Sequence, residues 1–158
     1  MQLYSTNNPS LKVELKEAVM QSLAKDKGLY MPEVIPLLDK EFIDHIENYS
    51  FQEIAFIVSK NLIGNYIPDA DLKEIVYGAI NFPAPVVMLD EKIGTLELWH
   101  GPSLAFKDFG ARFMAALMSY FIKNENQHTT ILVATSGDTG GAVAAGFYKT
   151  PGIEVIIL

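Results

Sequence analysis

The chain has 158 residues, 49% of them hydrophobic and 20% charged, with a net charge of −7. That is ordinary globular composition, with length for one domain or one and a half. The acidic balance leaves no basic stripe for nucleic acid or an anionic membrane surface, although a local cationic site can still take an anion.

Cysteine is absent, which excludes disulfides, thiol catalysis and Cys-based zinc sites. His45, His100 and His128 are scattered and form no HxxxH pair, so no metal site is expected. The first residues have no basic and apolar regions of a signal peptide. No apolar run nears the roughly 18–20 residues of a membrane span. A soluble cytoplasmic protein is expected.

Residues 10–24 carry apolar side chains at helical spacing, with Ser10 placed to cap a helix. Gly28, Pro32 and Pro36 then break regular structure. A helix is expected around 39–47. A second follows from Ser50, where Ser50 and Glu53 form a capping box and Gly64 a stop. A third starts at Pro68 and Asp69. Two β-prone runs around 86–89 and 95–99 are joined by a turn at Asp90–Gly94. From about residue 96 the pattern reads strand, long helix (104–123), strand, helix (139–149), strand. This alternation predicts a parallel sheet with crossover helices. The runs "ILVA" and "VIIL" suit strands buried on both faces. The chain stops on such a strand, so a piece of a longer protein is expected. The fold class is α/β: a mainly helical N-terminal domain over 1–94, then the start of a parallel-sheet domain over 95–158, truncated.

Within "LELWHGPSLAFKDFGARFMAALMSYF", Lys107 stands near the head of an almost wholly apolar helix. Projected on that helix, Lys107, Ala111, Met114, Met118 and Phe121 share one stripe, and Phe106, Phe109, Phe113, Leu117 and Tyr120 another. Asp108, Arg112, Ser119 and Lys123 form a wet edge. Burial and the positive end of a helix both disfavour a charged group there, and an uncharged amine suits Schiff-base chemistry. The plainer alternative lays the lysine stem on apolar surface with its head in water. The segment "ATSGDTGGAVAAGFY" has the form strand, glycine-rich turn, helix. Its backbone N–H groups converge as a site for a carboxylate or phosphate. It is neither a Walker A motif nor GxGxxG. An ordinary turn capped by Asp138 is the other reading.

Four ordered segments together resemble the threonine synthases, of the fold-type II pyridoxal-phosphate enzymes: "EAVMQSLAKDKGLYMPEVIP", "FPAPV", "LELWHGPSLAFKDFGARFMA" and "ATSGDTGGAVAAGFY". The resemblance spans the whole chain. It departs at Ser103, where the family most often has Thr. It implies that Lys107 carries pyridoxal 5′-phosphate as a Schiff base and later shuttles protons. It implies that Ser136, Gly137, Asp138, Thr139 and Gly140 hold the substrate carboxylate, with Asp138 near the cofactor's 3′ oxygen. Phe106 and Asp108 would shape the pocket, while Ser103 and His100 line the approach to Lys107. The implied full-length reaction converts O-phosphohomoserine and water to threonine and phosphate, in threonine biosynthesis. The cofactor-phosphate loop would lie downstream, so the isolated chain is expected to be inactive and prone to self-association. The alternatives are another fold-type II enzyme, such as a threonine dehydratase, or a non-catalytic threonine-synthase-like binding protein. A nucleotide-binding module is disfavoured by the missing Walker lysine.

Overall fold

The computed structural model describes residues 1–123 and 128–158. The chain forms two compact units, Met1–Val76 and Tyr77–Leu158.

The first unit opens with short strands that the sequence reading does not predict, one of them at the start of the 10–24 segment expected to be helix. β1 (Gln2–Ser5), β2 (Lys12–Glu14) and β3 (Tyr30–Pro32) form an antiparallel sheet in the order β2-β1-β3. Helix α1 is confined to Leu15–Gln21 and follows Glu14, which supplies no side-chain cap. Ser10 does not cap it. Instead Asn8 Oδ1 accepts from the Ser10 N–H at 3.1 Å and Asn8 C=O from the Leu11 N–H at 2.9 Å. This local Asx turn folds the chain back, and Lys12–Glu14 then pairs with β1. The turn after α1 is tied to β1 through Asp26. Its Oδ1 accepts from the buried Ser5 hydroxyl at 2.6 Å and from the Gly28 N–H at 3.0 Å.

The expected helix at 39–47 divides into α2 (Lys40–Asp44) and a 3-10 turn at Ile46–Asn48. Helix α3 (Phe51–Ile63) has the expected capping box. Ser50 Oγ accepts from the Glu53 N–H at 3.3 Å, and Glu53 Oε2 accepts from the Ser50 N–H at 2.7 Å. Gly64 ends it with a φ of 66°. Helix α4 (Asp69–Ala79) starts directly after Pro68. Ile67, Leu72 and Val76 are completely buried and centre the core of this unit.

In the second unit, β4 (Val86–Met88) and β5 (Gly94–Leu96) form an antiparallel hairpin. Asp90 Oδ1 sets the turn by accepting from the N–H groups of Lys92 and Ile93 at 2.7 and 2.9 Å. Among the described residues β5 pairs with β4 and not with β6 or β7, so the run at 95–99 is not a strand of the parallel pair. Then come α5 (Lys107–Ile122), β6 (Thr129–Val133), α6 (Asp138–Phe147) and β7 (Ile153–Ile157). β6 and β7 pair in parallel, from Thr129↔Ile153 to Val133↔Ile157, as the alternation predicts. Helix α6 packs on α5 as well as on β7. At Gly146 a Cβ would stand 3.1 Å from the Ala111 carbonyl carbon, so the small residue permits the close crossing.

Helix α5 corrects one detail of the projection. Its buried stripe is Asp108, Ala111, Ala115, Met118 and Ile122, with Leu117 beside it. That is helical spacing of three and four, and Asp108 heads it. Asp108 is therefore not on a wet edge but completely buried. Arg112 is also committed. It donates to the carbonyls of Ala79 and Gly78 at 3.0 and 2.7 Å and to Asn81 Oδ1 at 3.1 Å.

Candidate functional site

Helix α5 begins at Lys107, three residues later than the sequence predicts. Residues 101–106 form turns instead, with Leu104 at a φ of 58°. Asp108 holds those turns. Its Oδ2 accepts from the Ser103 N–H at 2.9 Å and its Oδ1 from the Ser103 hydroxyl at 2.7 Å. Gly101 is pressed against the same carboxylate. A Cβ there would lie 2.4 Å from Asp108 Oδ2 and 2.7 Å from Asp108 Cβ. Lys107 follows this clamped turn directly. It is half-buried rather than enclosed, and its Nζ stands 5.5 Å from the centre of the Phe106 ring. Among the described residues it takes part in no ion pair.

Two cavities meet at Lys107. One, of about 400 Å³, is lined by Leu98, Trp99, Ser103, Phe106, Lys107 and Asp138, with Leu96, Leu104 and Ala105 completing its wall. The other, of about 420 Å³, is apolar. It runs between Phe106, Phe109, Met114, Ala142 and Val143, with Thr139 at its side. Volumes of this size suit a small organic ligand.

The glycine turn between β6 and α6 is organised by Thr135. The Thr135 hydroxyl oxygen accepts from the N–H groups of Gly137 and Gly140, at 3.1 and 3.3 Å. Gly137 has a φ of 140°, open to glycine and strained for other residues. At Gly140 a Cβ would fall 2.5 Å from Thr135 Cγ2. The first bond of the α6 ladder runs from the Gly141 N–H to the Gly137 carbonyl. The N–H groups of Asp138 and Thr139, in the first turn, thus have no place in that ladder.

The fold brings Ser103, Phe106, Lys107 and Asp138 around one cavity, and Thr139 onto the second. Ser136, Gly137 and Gly140 line neither. His100 is turned away. It is exposed, bonded to Glu97 Oε2 at 2.7 Å and stacked on Trp99. Sequence reading missed Thr135, the clamp at Ser103 and Asp108, and the wall made by Leu98 and Trp99. A hydroxyl ending the strand before a glycine turn was the available signal for Thr135.

Residues 2–80 match the family described as "Threonine synthase N terminus". The chain belongs to the threonine synthase family. The threonine synthase of Haemophilus influenzae is 44% identical over the whole of this chain, which covers 36% of that protein. The crystal structure of threonine synthase from Escherichia coli superposes with a TM-score of 0.92 at 41% identity, over 99% of this chain and 36% of that one. A pyridoxal-phosphate-bound threonine synthase from Brucella melitensis gives a TM-score of 0.92 at 34% identity, over 99% of this chain and 35% of that one. The chain therefore spans little more than a third of the length of these relatives. The segment matched by the family description ends before Lys107, while the superposition takes in the whole of the Lys107 cavity's sequence.

Proposed function

We propose that this chain is the N-terminal part of a pyridoxal-phosphate-dependent threonine synthase. The whole enzyme converts O-phosphohomoserine and water to threonine and phosphate, in the cytoplasm, as a step of threonine biosynthesis. The observation that carries this reading is the unpaired amine of Lys107 at a cavity shared with Ser103, Phe106 and Asp138. When bound, pyridoxal phosphate supplies an aldehyde for a lysine amine and a ring that withdraws electrons from an adjacent carbon. The residues present fit it. Trp99, Leu98 and Phe106 give a flat ring an apolar wall, and among the described residues the amine is in no ion pair, although Asp138 lines the same cavity. Lys107, Phe106 and Asp138 hold the cofactor.

Residues 95–158 begin the cofactor-binding domain, after a mainly helical region over 1–94. The Lys107 amine is the covalent anchor. Once released, it takes and returns protons at the α-carbon and its neighbours in the substrate chain. The turn from Ser136 to Gly140 binds the substrate carboxylate, with Thr135 fixing its shape and the first-turn N–H groups of α6 donating. Ser103 lines the approach.

A chimera tests the reading, with this chain replacing the matching part of the Escherichia coli relative. It is expected to release phosphate from O-phosphohomoserine, and Lys107→Ala is expected to lower that rate about a thousandfold or more. Ammonia release from threonine without phosphate release would favour a dehydratase. Cofactor binding without turnover would favour a binding protein. The 158-residue chain alone covers about a third of its relatives and is expected to show neither tight cofactor binding nor turnover. Threonine formation by the isolated chain would overturn that point.

A further inference from the structure

Ser103 faces two ways. Its residue lines the Lys107 cavity, yet its hydroxyl donates to Asp108 Oδ1 at 2.7 Å. A hydroxyl has one proton to give. Asp108 takes it and is held to that task. Its other oxygen, Oδ2, accepts from the Ser103 backbone N–H at 2.9 Å, the side chain is completely buried, and it fills the space that a side chain at Gly101 would need. Ser103 Oγ can then only accept towards the cavity. An acceptor suits an amine and repels a carboxylate or phosphate.

We propose that Asp108, acting through Ser103, is a positioning residue for Lys107. It turns the Ser103 hydroxyl so that its oxygen receives an N–H of the Lys107 amine and holds that amine in the cavity. Ser103 thus serves the lysine and not the anionic end of the substrate. The charged groups on this cavity are Lys107 itself and Asp138 on α6, and Asp108 lies behind its wall. The proposal rests on the reading of Lys107 as the reactive amine.

The polarity of the pair can be reversed by one atom. In Asp108→Asn the amide oxygen must stay opposite the Ser103 backbone N–H, because that donor cannot turn. The amide nitrogen then faces Ser103 Oγ, and the hydroxyl must rotate to accept from it. Its proton then points away from Asn and towards the cavity. Ser103→Ala removes the group, while Ser103→Thr keeps it.

The experiment treats the chimera of this chain with the remainder of the Escherichia coli relative with pyridoxal 5′-phosphate and borohydride, then follows labelling of each lysine by peptide mass spectrometry. Exposed Lys92 serves as the reference in the same sample. Ser103→Thr is expected to label Lys107 at the wild-type rate. Ser103→Ala and Asp108→Asn are expected to slow it about fivefold relative to Lys92, the factor a single hydrogen bond sets. Labelling in Ser103→Ala equal to wild type would overturn the proposal, as would equal loss in Ser103→Thr. If Asp108→Asn does not fold, the two Ser103 variants still decide. Failure of the underlying reading looks different: wild-type Lys107 would then label no faster than Lys92.

Discussion

A buried carboxylate beside a lysine invites an ion pair, yet Asp108 spends both oxygens on Ser103. This leaves Lys107 unpaired and makes the turn before it rigid. Gly101 is the tightest point of that arrangement. Gly101→Ala would drive a methyl to 2.4 Å from Asp108 Oδ2 and is expected to cost about 1–3 kcal/mol, read from urea unfolding. Unchanged stability would mean that the turn yields freely. Asp26 gives a pH-dependent case. The Ser5 hydroxyl first, and then the Gly28 N–H, hold its carboxyl below the ordinary value. A carboxyl depressed in the folded state stabilises the fold above its unfolded value, about 4, and that contribution is lost as pH falls through the lower folded value. The stability gap between the wild type and Asp26→Asn is therefore expected to narrow below about pH 4. Urea midpoints across a pH series check this, and a gap that stays constant would count against it.

At the scale of elements, what was legible in the sequence was local. Ser50, Glu53 and Gly64 carry their own instructions within one turn of α3, and the structure follows them. Ser50→Ala is expected to lower stability by about 1 kcal/mol, measured as a shift in unfolding midpoint at unchanged slope. The sheet of β1, β2 and β3 was illegible because its strands hold only three or four residues, too few to show a period of two. Helix α5 was legible as a helix but not in its facing. Apolar residues cover most of its circumference, so the pattern could not say that Asp108 heads the buried stripe; partners in the preceding turn decide that. For the same reason the sequence could name Ser103, Phe106 and Asp138 together with Lys107, but not Leu98, Trp99 or the link between Ser103 and Asp108. The crossing of α6 over α5 rests on Gly146. Gly146→Val is expected to cost about 1–3 kcal/mol by wedging the helices apart, read from thermal or urea unfolding.

For the molecule as a whole, the outer face of the parallel pair stands open. Leu132 and Ile156 are cross-strand partners, 66% and 40% exposed. Unpaired edges and an apolar face favour association. The 158-residue chain is expected to self-associate with rising concentration in sedimentation velocity, and Ile156→Lys to keep it monomeric. A wild-type chain that stays monomeric throughout would refute this. The strand ladders have another consequence, one of timing. Every pairing among the described residues joins segments near each other in the chain, the widest being Leu3 with Pro32. Such closures cost little entropy and form fast. On a ribosome, each sheet can close as soon as its last strand emerges. The turn that clamps Lys107 needs only its own neighbours, so it can be set while the rest of the polypeptide is still being synthesised.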